Sequence, residues 1–344
     1  MSEPGSAERE PVREAVRTYA SRQPQLAAAT AGYVTLIRTL LDDAGIDYLS
    51  VTGRTKSVAS FAAKANRTED GSPLYPEPLE QITDQIGVRV ITYVHSDVAA
   101  VAELLADELT ILDDRDLGEE TARSGRFGYA SRHLLVRSDD EGDDDGDDDG
   151  DDNGHPDLAG ERASIQVRTV LQHAWAEFEH DIRYKGNVPE DAAADLDRRF
   201  TLAAGLIELA DREFATIRER IQAAAPGSST EGEADHIVGQ DLATFLAGHY
   251  SDAGWSHTDH YDWIAGLLAE LGIDTVDELG DLLTSVDADA VIRRMGYRYP
   301  AGAVRRLDDA LLAIFGEQYV TLAGNSHRVP LLRARLEKLT TPDS

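Results

Sequence analysis

Four short stretches of this 344-residue chain gather side chains suited to phosphate, a metal or a base. The first runs Gly53-Arg54-Thr55-Lys56-Ser57-Val58-Ala59-Ser60-Phe61-Ala62-Ala63-Lys64. A glycine turn after a strand delivers Arg54 and Lys56 to the start of a helix. Lys64 lies eight residues beyond Lys56, about two turns on and near the same face. Three cations beside helix N-terminal amides make a polyphosphate site. The second stretch is Asp84, just ahead of Val88-Arg89-Val90-Ile91; a carboxylate before a buried strand can hold magnesium against phosphate oxygens. The third is Gly128-Tyr129-Ala130-Ser131-Arg132-His133, whose tyrosine can stack on a base. The fourth is Ser164-Ile-Gln166-Val-Arg168, followed by His173, Trp175, Glu177, Phe178, His180, Ile182 and Tyr184. On a strand Ser164, Gln166 and Arg168 share one face. On a helix His173, Glu177, His180 and Tyr184 share another, while Trp175, Phe178 and Ile182 most simply pack in the core. A zinc reading of His173 and His180 lacks the usual spacing, so hydrogen bonding is the favoured role. Taken singly, each stretch has a plainer reading: an exposed basic helix, a capping aspartate, a core tyrosine, a solvated helix face.

The elements that position these residues are legible in outline. Residues 9–45 repeat apolar positions at helical spacing. Residues 47–52 read as a strand ended by Gly53, and Thr55–Arg67 as a helix with Ser57 as its cap. Gly87–Val94 is a β-branched run and the best strand candidate. Ser96–Leu109 is a helix, Thr110–Leu112 and Ser131–Arg137 are strands, and Ser164–Thr169 is a fifth. Residues 170–184 and 191–223 read as helices. The aspartate-rich run 139–154 is low in complexity and self-repelling, which predicts a disordered hairpin insert. Residues 225–235 form a linker, and 237–340 show helical patterning with no strand run.

Composition narrows the function. The formal net charge is −31, which argues against general binding of nucleic acids or anionic lipid. There are no cysteines, so disulfides, thiolate catalysis and cysteine-based zinc sites are excluded. The N-terminus lacks an apolar signal core and no run is long enough to span a bilayer, so a cytoplasmic location is expected. Only four lysines occur, at 56, 64, 185 and 338; two fall in the first stretch and Lys185 directly follows the fourth. In a chain that otherwise uses arginine, a compact ammonium is wanted at those places.

The run at 53–64, the acid before Gly-Val-Arg-Val-Ile at 84–91, Gly-Tyr-x-Ser-x-His at 128–133 and the stretch 165–185 occur in one order. Together they resemble the synthetase domain of the RelA/SpoT family. The resemblance implies an α+β fold: a nucleotidyltransferase-like mixed sheet flanked by helices, here followed by an all-helical C-terminal region. It implies transfer of the β,γ-pyrophosphate of ATP to the 3′-hydroxyl of GDP or GTP, with Mg2+ as cofactor. Arg54, Lys56 and Lys64 would hold the ATP phosphates and Asp84 the metal. Tyr129 would stack on guanine, and His133, Gln166, Arg168 and His173 would line the acceptor site. The expected division is a helical segment over 1–45, the synthetase domain over 46–190, a helical extension over 191–224 and a helical domain over 237–340. Fewer than 50 residues precede the first strand, too few for the hydrolase domain of long family members, so a stand-alone synthetase is expected.

Two departures bear on rate. The family's glutamate two residues before the glutamine is Ser164 here, at a catalytic position, and a serine takes no proton at neutral pH. Glu161 or Glu177 is the acid that could replace it. The family's lysine ahead of Gly128 is also absent, with Arg123 or Arg126 nearby. Three readings follow: an active pyrophosphokinase, a degenerate guanine-nucleotide-binding signalling protein, or a pyrophosphokinase with another acceptor such as tRNA. The net charge counts against tRNA. Assembly into a homo-oligomer stays open.

Overall fold

The computed structural model describes residues 9–70, 72–123, 131–138, 158, 160–185, 190–224, 236–297 and 301–340. Tyr129 and the aspartate-rich run 139–154 lie outside them. Two compact units form. One takes the chain up to Thr39, Leu49–Thr92 and Leu105–Glu208; the other takes Leu40–Tyr48, Tyr93–Leu104 and the chain from Leu209 onward.

The first unit is built on a mixed five-stranded sheet. Its strands are β1 (Ser50–Thr55), β4 (Ile86–Thr92), β5 (Thr110–Asp116), β6 (Arg132–Arg137) and β7 (Arg162–Thr169), in the order β1-β4-β7-β6-β5. Between β1 and β4 come α2 (Val58–Ala65), a hairpin of β2 (Thr68–Glu69) and β3 (Ser72–Pro73), and the single turn α3 (Pro78–Gln81). Only β4 and β7 pair in parallel; the other three pairings are antiparallel. The side-chain period of two then sorts the sheet into two faces. Val51, Ile86, Val88, Val90, Leu134, Val136, Ala163, Ile165 and Val167 fill one face and are buried. The long helix α1 (Arg9–Ala44) covers it with Tyr19, Leu26, Ala29, Tyr33 and Ile37. Tyr33 donates to the Glu161 carbonyl at 2.7 Å and Arg38 to the Val51 carbonyl at 2.8 Å, which pins helix to sheet.

That contact corrects the expected turn at Gly53. Strand β1 runs through Gly53 to Thr55. A Cβ at Gly53 would stand 2.7 Å from both Thr30 Cγ2 and Val34 Cγ2 of α1, so glycine is required by close packing rather than by a turn. Ser57 does cap α2, accepting from the Ser60 amide at 3.1 Å. Strand β5 extends through the charged run to Asp116 and is followed by α5 (Leu117–Arg123), which the acidic composition concealed. Helix α6 (Val170–Lys185) buries Trp175, but Phe178 is 54% exposed and Ile182 41%, against the expectation that both lie in the core. The Trp175 and Phe178 rings instead gather beside Phe200 of α7 (Glu190–Ala224), at 5.6 and 6.4 Å between centroids.

The second unit is helical. It holds part of α4 (His95–Glu108), then α8 (Gly239–His249), α9 (Thr258–Glu270), α10 (Val276–Thr284), α11 (Ala288–Met295), α12 (Ala303–Phe315), α13 (Glu317–Val320), a 3₁₀ turn over Ala323–Arg328 and α14 (Val329–Thr340). Leu242, Leu246, Ile264, Leu268, Leu279, Leu307, Leu311 and Leu332 form its core. Within it, Asp308 and Asp309 are buried and accept from Arg305, Arg328 and Arg335, while Arg305 and Arg335 also reach Asp43. Three carboxylates thus meet three guanidiniums in this cluster, so its buried charges are matched in number. A cavity of about 310 Å³ in this unit is lined by Asp47, Asp97, Arg218 and Trp255 among others. Among the described residues no helix is long and apolar enough to cross a membrane.

Candidate functional site

The face of the sheet turned away from α1 carries several of the candidate residues. Register places Thr52, Arg89, Gln166, His133 and Arg115 in one row across the five strands. The adjacent row holds Arg54, Gly87, Ser164, Leu135 and Asp113. Arg168 sits opposite Ile91, one row further along. Arg54 and Ser164 flank Gly87, roughly 10 Å apart at two strand spacings. Having no side chain, Gly87 leaves an open floor between them.

At the Arg54 end, Asp84 is gripped by two lysines. Lys56 Nζ donates to Asp84 Oδ2 at 2.7 Å and Lys64 Nζ to Oδ1 at 3.0 Å. Burial pushes the Asp84 carboxyl up, but the bonds and charges of the two ammoniums outweigh it and hold the group below the usual carboxylate range. It is therefore ionised at neutral pH. Lys56 is buried; its carbonyl accepts from the Tyr19 hydroxyl at 2.6 Å and its amide donates to the Gln85 carbonyl at 2.9 Å. The Tyr19 ring stacks on Phe61 of α2 at 4.1 Å. Lys64 lies in the last turn of α2, with its ammonium 5.6 Å over the Tyr75 ring. Tyr19 and Tyr75 carry no local sequence signal for this role, since only the fold brings them to the lysines.

The other end gathers a second set. Arg89 pairs with Glu177 of α6 at 2.9 Å, and His173 Nδ1 lies 3.9 Å from the same carboxylate. Arg168 donates to Gln166 Oε1 at 2.8 Å. Burial lowers the Arg168 pKa to about 10, with Arg89 adding to the effect. His173 is pushed down first by burial and then by Arg89; His133 by burial and then by Arg115. Both imidazoles are thus neutral at neutral pH, each with one donor and one acceptor nitrogen. His173 Nδ1 is buried with no hydrogen-bond partner among the described residues. Arg89 carries a local signal of its own, since a charged side chain inside a β-branched run marks a polar sheet face.

The two acids that could replace a glutamate at 164 go to different places. Glu161 accepts from Arg22 of α1 at 2.8 Å, on the side of the sheet that α1 covers. Glu177 stands in the polar cluster with Arg89 and His173. Tyr129 lies outside the described residues, as do the side chains of Tyr184 and Lys185. Among the described residues no group of three or more histidines, aspartates and glutamates could hold a metal by itself. A single ionised carboxylate fits magnesium only as a partner of nucleotide phosphates, which is the usual way that ion is bound.

Fold and site together define an α+β phosphate-handling domain: a mixed sheet flanked by helices, presenting cations around one carboxylate, with a helical C-terminal region. The region found in RelA / SpoT proteins matches residues 53–188. The GTP pyrophosphokinase YjbM of Bacillus subtilis (strain 168) is 33% identical over 199 residues, covering 55% of this chain and 81% of that protein. Among solved structures, small alarmone synthetase 1 from Bacillus subtilis bound to its product pppGpp is 26% identical, with a TM-score of 0.44 over 60% of this chain and 99% of that one. A GTP pyrophosphokinase family protein from Streptococcus pneumoniae is 24% identical, with a TM-score of 0.45 over 60% of this chain and 96% of that one. The chain belongs to the RelA/SpoT family.

Proposed function

We propose that this protein is an alarmone synthetase that transfers the β,γ-pyrophosphate of ATP to the 3′-hydroxyl of GDP or GTP. The observation that carries the reading is a carboxylate gripped by two ammoniums, Lys56–Asp84–Lys64, beside the end of the strand that holds Arg54, together with His133, Gln166 and Arg168 in register on the sheet and His173 on α6, all inside the family's matched region. Arg54, Lys56 and Lys64 bind the ATP phosphates. Gln166, Arg168 and the two neutral histidines orient the acceptor nucleotide, with Tyr129 as the base-stacking residue. Asp84 would hold Mg2+, which when bound offsets the charge on the transferring phosphoryl groups.

In the reaction the 3′-oxygen forms a bond to the β-phosphorus, the bond from that phosphorus to the α,β-bridging oxygen breaks, and AMP leaves. Such transfers depend on in-line positioning and cations more than on early proton removal. That is why Ser164 is tolerable: the acceptor proton passes to water or to a substrate oxygen. These nucleotides are cytoplasmic, and we place the protein there.

The test is incubation of the full chain with labelled ATP and GDP, GTP or tRNA, followed by separation of products. A guanosine 3′-pyrophosphate product is expected. Ser164 favours a second reading, a guanine-nucleotide-binding signalling protein, which predicts saturable binding and no turnover with any acceptor. A labelled tRNA end selects the third reading.

A further inference from the structure

The Lys56–Asp84–Lys64 bridge has a consequence for the order in which ligands enter. We infer that Asp84 accepts a divalent cation only when nucleotide phosphates take the two ammonium groups from it, so that metal and ATP arrive as one complex. This rests on the reading of Asp84 as the metal-holding residue.

Both carboxylate oxygens are already occupied, at 2.7 and 3.0 Å. Two ammoniums around one carboxylate leave the cluster net positive. A bare dication approaching Asp84 is repelled and must also break both bonds. It would strand Lys56, whose side chain is only 9% exposed, without a counter-ion. A nucleotide polyphosphate reverses each of these terms: its oxygens accept from the lysines as the carboxylate did, and its negative charge outnumbers theirs.

The residue types suit an exchange. Of 33 basic residues four are lysines, leaving 29 arginines, yet both Asp84 partners are lysines. An ammonium is a point charge on a flexible stem and can pass from carboxylate to phosphate oxygen without breaking a two-pronged fork, which arginine could not do. The backbone beneath stays fixed. Tyr19 holds the Lys56 carbonyl, and Gln85, next to Asp84, donates to the Leu79 and Ile82 carbonyls at 2.6 and 3.0 Å. The exchange is therefore confined to side-chain ends.

The experiment titrates the full chain with Mn2+ and reads bound metal by its paramagnetic resonance signal. Any cation taken up by the aspartates of the run 139–154 cancels in the difference between a protein and its Asp84→Asn counterpart, and that difference is the readout. Without nucleotide, wild type and Asp84→Asn are expected to bind Mn2+ identically; with a non-hydrolysable ATP analogue they separate. Lys64→Met, checked for folding by circular dichroism, is expected to show Asp84-dependent Mn2+ binding without nucleotide, at least about tenfold tighter than wild type. Asp84-dependent binding to nucleotide-free wild type, as tight as with the analogue, overturns the inference and leaves the metal assignment standing. No Asp84 dependence even with the analogue overturns the metal assignment and the inference together. Formation of guanosine 3′-pyrophosphate, measured separately, decides the activity itself.

Discussion

At the residue scale, the proposed reaction asks different things of Asp84 and Ser164. Asp84 is held ionised by Lys56 and Lys64, so its charge is available to a metal–nucleotide complex at any pH near neutrality. Asp84→Asn keeps the shape and removes the charge; turnover should fall to background while the melting temperature stays within a few degrees. Full activity in that variant would remove Asp84 from the mechanism. Ser164 faces the same side of the sheet as Arg54 and is separated from it by Gly87. Glu161 cannot serve in its place while Arg22 holds it under α1. A missing general base typically costs about 10²–10⁴-fold. Ser164→Glu is therefore expected to raise kcat with little change in nucleotide affinity, as measured by GDP titration and product formation. A lower kcat in Ser164→Glu would mean that the site is built around serine, and Glu177 is then the acid to replace.

The elements explain why the site is rigid enough for this chemistry. Helix α1 covers the apolar face so closely that Gly53 cannot carry a side chain. Gly53→Ala pushes a methyl into Thr30 and Val34, both stiff β-branched residues of a helix. Overpacking of this kind costs about 1–3 kcal/mol, and urea unfolding should show that loss; an unchanged midpoint would mean that α1 shifts freely. The same contact marks a limit of sequence reading. Glycine after a polar strand suggests a turn locally, and the reason for it lies about 20 residues upstream on α1. The strands β4 and β7 were legible because β-branched residues alternate or run together there, and β6 because of its short apolar run Leu134-Leu135-Val136. Strand β5 was seen only at its apolar start, since Asp113, Arg115 and Asp116 carry no strand signature. The lysines, Asp84 and the Gln166–Arg168 face were legible from residue type and spacing. Arg22, Tyr19 and Tyr75 were not, because each is brought to its partner by tertiary packing.

At the scale of the whole molecule, the acidic helical unit carries a pH-dependent term of its own. Burial, with Asp97 adding, pushes the Asp47 carboxyl up to about 7, while Arg218 and His260 pull the other way. No cation of the described residues pairs with Asp47. Asp97 is itself buried and bonded by Arg218 at 2.9 Å, so that guanidinium is already engaged. A carboxyl raised on folding binds its proton more tightly in the native state, so its contribution is most favourable below the unfolded value near 4 and is lost as pH rises toward about 7. Asp47→Asn should therefore raise the melting temperature at pH 8 and leave it unchanged at pH 4. Equal effects at both values would show that Asp47 does not titrate in this range. The parallel pairing of β4 with β7 has a consequence in time. The cations of β1 and α2 are complete at Lys64, whereas the strand that backs the acceptor end finishes at Thr169, about 100 residues later. At a synthesis rate of about 5–20 residues per second, the ribosome spends roughly 5–20 seconds between the two. On the proposed reading, throughout that interval the growing chain has its phosphate-binding residues without their counterpart. A protein that raises an alarm would thereby stay silent while it is being made, and a translation product aborted before Thr169 would lack the means to signal.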